Sequence, residues 1–119
     1  MSNIVIIPTY KEKENIESIV LAIVSLPVKF DILVIDDNSP DGTGAIVKSL
    51  QPSIPNLHLI ERPAKLGLGT AYITGFKWAL EKGYQYIYEM DADFSHNPHD
   101  LINLYNACQD GADVAIGSR

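Results

Sequence analysis

Short apolar runs alternate with stretches of helical period along this chain. Residues 4–7 read IVII, a β-branched run that suits a buried strand. Residues 14–25 place apolar side chains at Ile16, Ile19, Val20, Ile23 and Val24, the i, i+3, i+4, i+7, i+8 spacing of one helix face. ILVI at 32–35 predicts a second strand, and the cluster Asn38-Ser39-Pro40-Asp41-Gly42 predicts a turn after it. A short helix over 44–50 and a third strand over 57–60 follow. Residues 69–82 predict a longer helix with Tyr72, Phe76, Ala79 and Leu80 on one side and Gly83 as its stop. Residues 84–90 read as a fourth strand. Asn97 as N-cap and Pro98 at the first helical position predict a further helix, with Leu101, Leu104, Tyr105 and Cys108 facing in. A fifth strand is expected over 112–116.

Strand–helix alternation of this kind predicts an α/β fold, a parallel sheet covered by helices on both faces. With 119 residues and 46% hydrophobic content, a single domain is expected. No linker, internal repeat or low-complexity tract interrupts it. Ligands of such folds bind at the carboxyl ends of the strands. Three polar clusters fall there: Pro8-Thr9-Tyr10-Lys11-Glu12, Asp36-Asp37-Asn38-Ser39 and Asp91-Ala92-Asp93. The chain ends at Gly117-Ser118-Arg119, directly after the last expected strand, where an active site would call for more protein.

Charge narrows the ligand classes. The formal net charge is −6 and there is no basic patch, so nucleic acid is not an expected partner. An anionic ligand would need a cation or backbone N–H groups to offset repulsion. The one cysteine, Cys108, permits no disulfide within the chain and reads as a small core residue. The start, MSNIVIIPTYKEKE, has no basic leader and is broken at Pro8, so it does not read as a signal peptide. The longest apolar run, 19–24, is far below the roughly 18 residues of a membrane span, and a soluble chain is expected.

The paired aspartates carry the sharpest chemistry. Residues two apart on an extended chain point the same way, so Asp91 and Asp93 would aim both carboxylates at one spot. Unpaired, they repel and one tends to protonate. Magnesium and manganese favour such oxygen ligands, and magnesium is typically shared between carboxylates and substrate phosphates. A solvated turn, with Asp93 helping to cap the next helix, is the alternative. Asp36 and Asp37 are adjacent, so one should face a ligand and one the fold; a plain turn is again the alternative. Lys65-Leu66-Gly67-Leu68-Gly69-Thr70-Ala71 opens a helix and reads as a tight loop rather than a dinucleotide fingerprint, since position 72 is Tyr. His96 and His99 lack the further ligands that zinc needs. His58, Tyr72 and Trp78 read as packing.

Taken in order, IIPTYKEKENI, ILVIDDNSPDGT, KLGLGTAY, MDADFSHNP and the final GSR resemble the inverting family 2 glycosyltransferases. Within these the likeness is greatest to the dolichyl- or polyprenyl-phosphate mannosyltransferases, and it covers essentially the whole chain. The resemblance implies a Rossmann-like, GT-A type nucleotide-sugar-binding fold. Residues 1–119 would be its N-terminal part, cut off after the fifth strand, with the acceptor-binding part absent and little transfer by the chain alone. It implies a GDP-mannose donor, a lipid-phosphate acceptor, Mg2+ or Mn2+, and work at the cytoplasmic face of a membrane, held there by a partner or a further C-terminal segment. Pro8, Tyr10 and Glu12 match the first-strand motif that lines the nucleotide, and Ile35 and Asp37 the second-strand pair. Asp91, Ala92 and Asp93 match the Asp-x-Asp, whose carboxylates bind metal and whose middle residue borders the nucleotide. Arg119 matches an arginine that reaches the sugar donor. No catalytic base is implied.

Two rival readings remain open from the sequence. One is a different family 2 transferase, moving glucose from UDP-glucose or building a polysaccharide. The other is a receiver-like signalling domain, whose acid pair should follow the first strand, where this chain has Pro8-Thr9-Tyr10.

Overall fold

The computed structural model of the chain describes residues 3–64, 67–90, 101–102, 106 and 114–116. Strands and helices alternate as β1 (Asn3–Thr9), α1 (Ile16–Val24), β2 (Asp31–Asp36), α2 (Thr43–Leu50), β3 (Leu57–Glu61), α3 (Leu68–Glu81), β4 (Tyr86–Glu89) and β5 (Val114–Ile116). All pairings are parallel and the strand order is β3-β2-β1-β4-β5. The chain builds outward from β1 through β2 to β3, then returns to β1's other side for β4. The order therefore reverses at β1, and the gap between the carboxyl ends of β1 and β4 is the switch point where such sheets take ligands.

Helices cover both faces, as the alternation predicts. Val5, Ile7, Ile32 and Val34 face α1 and α2, together with Phe30, Tyr88 and Met90. Ile4, Ile6, Leu33 and Ile35 face α3. Every one of those eight β1 and β2 side chains is 0% exposed, which is why both strands read as unbroken apolar runs rather than alternating ones. Phe30 meets Tyr88 edge to face at 5.2 Å between ring centres, closing the core below β2 and β4. On the other face Trp78 packs against His58 and Tyr84, so these rings do the packing expected of them.

The inward stripes differ from the periodicity reading in two places. Leu80 is 67% exposed and Val24 is 46% exposed. In α3 the sheet is met by Ala71, Gly75 and Ala79, spaced four apart, which turns Leu80 a further 100° or so away from the sheet. The small residues let the helix backbone come close. A methyl group built on Gly75 would sit 2.7 and 2.8 Å from carbons of Ile6 and 3.1 Å from Ile35. Helix α3 ends in a Schellman arrangement, with Gly83 at φ 83°, its amide on the Leu80 carbonyl and the Tyr84 amide on the Ala79 carbonyl. That hydrogen bonding keeps Tyr84 out of the fourth strand, which starts at Tyr86 rather than 84. Leu101, Ile102 and Asn106 are helical, and Leu101 is buried on the α1 face. Asn97, Pro98, Leu104, Tyr105 and Cys108 lie outside the described residues. Among the described residues no helix is long and apolar enough to cross a membrane.

Two predictions follow the packing. Gly75→Ala gains about 1 kcal/mol of helix propensity but overpacks against Ile6, at a typical cost of about 1–3 kcal/mol. Net destabilisation of about 1 kcal/mol is expected in urea unfolding. The Tyr84 hydroxyl donates to the Asp31 carboxylate at 2.6 Å, and burial, followed by that bond, pushes the phenol well above its ordinary pKa. A raised folded pKa means stability that is complete below about pH 10 and declines as pH climbs beyond it. Tyr84→Phe should be less stable at pH 7 by about 1 kcal/mol, and its stability should fall less than the wild type's between pH 9 and pH 11.

Candidate donor-binding edge

The carboxyl ends of the strands bring the first two sequence clusters together. Pro8 is the sixth residue of β1 and lies opposite Ile35 in β2. Its side chain is on the α3 face, half-buried. On the other side of β1, the last registered pair with β4 is Ile6 with Glu89, and the Met90 amide bonds the Ile6 carbonyl at 3.0 Å. N–H and C=O of one strand residue point the same way, so the amide that proline lacks is the one that would have faced β4. Pro8 thus offers no backbone donor towards β4 at the switch point. The chain runs on from Met90 into Asp91.

The loop after β1 is tied to the loop after β2 by consecutive amides. Lys11 N–H donates to Ser39 Oγ at 2.9 Å, Glu12 N–H to Thr43 Oγ1 at 3.0 Å and Lys13 N–H to Asp41 Oδ2 at 3.3 Å. Lys11 sits at φ 57°, a left-handed conformation that costs a side-chain-bearing residue roughly 1–2 kcal/mol. Those three bonds offset that cost and fix the loop. The Glu12 carbonyl then accepts the amides of Asn15 and Ile16 at 3.0 and 2.9 Å, starting α1. Glu12 Oε2 accepts from Asn15 Nδ2 at 3.4 Å. Tyr10 is half-buried, with the Lys11 ammonium 5.5 Å from its ring centre. Asp41 is held below its ordinary pKa, chiefly by the Thr43 hydroxyl, which donates at 2.6 Å.

Asp36 and Asp37 point to opposite faces, as adjacent strand residues must, and both are buried. Neither is left to a turn. Asp36, on the α1 and α2 face, accepts from the Thr9 hydroxyl at 2.7 Å, the Ser39 hydroxyl at 2.6 Å and the Ser39 amide at 3.0 Å. Asp37, on the α3 face, is gripped by Arg62: Nε to Oδ1 at 2.5 Å and Nη2 to Oδ2 at 2.7 Å. The sequence reading passed over Arg62. Its signal was there: a single arginine one residue past β3, on the edge where the neighbouring strand ends in two acids. Ile35, matched with Asp37 by the resemblance, has a fully buried side chain packed towards α3. The glycine loop before α3 is described from Gly67, which has φ 101° and ψ 152°, a conformation essentially restricted to glycine.

Asp91, Ala92, Asp93 and Arg119, and with them both expected metal ligands, lie outside the described residues. Among the described residues no group of three or more His, Cys, Asp or Glu side chains is placed to hold a metal ion. The chemistry of the Asp91 and Asp93 pair, two hard oxygen donors, fits Mg2+ or Mn2+.

The Asp36 network predicts a measurable effect. Asp36→Ala leaves the Ser39 amide without its acceptor and the Thr9 hydroxyl with only the Ile35 carbonyl at 3.5 Å, at a cost of about 1–3 kcal/mol. The amides of Lys11, Glu12 and Ser39 should also exchange with solvent faster in that variant, because the two loops lose their common anchor.

Comparison with known proteins adds the lineage. The model of the family described as glycosyl transferase family 2 matches residues 4–119. A polyprenol monophosphomannose synthase from Mycolicibacterium smegmatis is 50% identical over 117 residues, covering 98% of this chain and 44% of that protein. The chain spans less than half the length of the curated relatives it matches. Among solved structures, S. aureus TarS 1–349 superposes with a TM-score of 0.72 and 25% identity over 92% of this chain and 33% of that one. The mannosyltransferase PcManGT from Pyrobaculum calidifontis, in complex with GDP-Man and Mn2+, gives 0.60 and 30% identity over 64% of this chain and 24% of that one. The parallel sheet with its reversal at β1 is the GT-A arrangement of these glycosyltransferases, and the chain belongs to glycosyl transferase family 2.

Proposed function

We propose that this chain is the donor-binding part of an inverting mannosyltransferase that moves mannose from GDP-mannose to a polyprenyl or dolichyl phosphate. The observation that carries the reading is that Pro8, Tyr10, Glu12 and Asp37 follow one another at the carboxyl ends of the adjoining strands β1 and β2, beside the switch point between β1 and β4. The 50% identity to a polyprenol monophosphomannose synthase, and the GDP-Man and Mn2+ in the PcManGT complex, support the choice of donor, metal and acceptor class.

On this reading Tyr10 and Glu12, on the loop fixed by Ser39 and Thr43, line the nucleotide with Pro8 and Asp37, and Ile35 supports that end of β2 from the core. Asp37 accepts hydrogen bonds from the nucleoside. Ala92 borders it, and Arg119 reaches the sugar end. Asp91 and Asp93 would hold Mg2+ or Mn2+, which when bound supplies positive charge to the diphosphate leaving group. The acceptor phosphate has a second pKa of about 6 if it behaves as other monoesters do, so it attacks at neutral pH without a general base. The protein's task is then to hold donor and acceptor in line at the anomeric carbon. A lipid acceptor places the work at a membrane surface, on its cytoplasmic face, with the remaining length of such an enzyme supplying the acceptor site.

Titration of GDP and UDP into the chain, with and without Mn2+, tests the proposal. GDP should bind more tightly than UDP, and Mn2+ should strengthen GDP binding at least tenfold, about 1.4 kcal/mol. Asn at both 91 and 93 should abolish the Mn2+ effect. Equal or tighter UDP binding would overturn the mannose donor, and an unchanged Mn2+ effect in the double variant would overturn the metal assignment.

A further inference from the structure

We infer that Arg62 is a positioning residue for the donor nucleoside, acting through the carboxylate of Asp37. The inference rests on the proposed donor site and goes beyond it. Arg62 is 8% exposed, and a buried guanidinium persists only where its charge and N–H groups are matched. Four of its five N–H donors are accounted for. Nε and Nη2 take the two oxygens of Asp37 at 2.5 and 2.7 Å, Nη1 donates to Thr70 Oγ1 at 3.0 Å and Nη2 also to the Gly67 carbonyl at 3.1 Å. The Arg62 backbone amide bonds the Asp36 carbonyl at 2.8 Å.

The geometry has a direction. Two parallel bonds from a planar guanidinium fix the plane of the carboxylate, which one bond from a lysine ammonium cannot do. The guanidinium is in turn held at the first turn of α3, where Gly67 adopts its glycine-only conformation. The attitude of Asp37 at the end of β2 is thereby set by β3 and by the start of α3.

A double-mutant cycle with GDP and Mn2+ as the probe separates positioning from mere support of the fold. Asp37→Asn and Arg62→Lys should each weaken GDP binding about tenfold. In the Asp37→Asn background Arg62→Lys should add no more than about a twofold loss, because the residue has nothing left to orient. Thr70→Val removes one guanidinium contact and leaves the ion pair. It should cost about threefold, again only while Asp37 is present, and it carries the cycle if Arg62→Lys does not fold. Losses that multiply to about a hundredfold, or GDP binding that Asp37→Asn weakens and neither other variant does, would overturn the inference and leave the donor site standing. A wild-type chain that does not bind GDP would overturn both.

Discussion

The rest of the molecule depends on one constraint: β1 and β2 are buried on both faces. Parallel strands present two apolar surfaces, and each surface has to be covered by its own helices. In this chain α1 and α2 take one and α3 the other. A side chain such as Ile6 or Val34, wholly removed from water, contributes about 1.5–3 kcal/mol. Neither strand can shift by one residue without exchanging its entire set of contacts. The register this enforces brings Thr9, Asp36 and Glu61 into line at one edge.

Polar groups at that edge then have to be satisfied in a place that is still largely buried. The solution differs on the two faces. On the α1 and α2 face Asp36 acts as an acceptor for Thr9 and Ser39, which binds the loops after β1 and β2 into one unit. On the α3 face Asp37 is balanced by a cation, Arg62. One carboxylate organises neutral donors from β1 and its own loop, the other a charge from the residue after β3. Both acids are thereby engaged within the fold.

Much of this was legible from the residues alone. The IVII and ILVI runs marked the central strands, Gly83 marked the end of a helix, and the clusters at Pro8 and Asp36 marked the edge where a ligand would bind. The faces of the helices were less legible. Val24 and Leu80 fit an apolar stripe by spacing, yet both face solvent. Periodicity counts hydrophobic positions, whereas close approach to a sheet selects small ones, such as Gly75 against Ile6 and Ile35.

The sequence by itself determined the kinds of element, their order and the chemistry waiting at the strand ends, because propensity and period act over a few neighbouring residues. Only the tertiary structure decided that β4 returns beside β1, that Lys11 closes onto Ser39, and that Asp37 belongs to Arg62, 25 residues away. Such partners are chosen by sheet order and register. Those are properties of the whole packed core, and no local stretch of chain contains them.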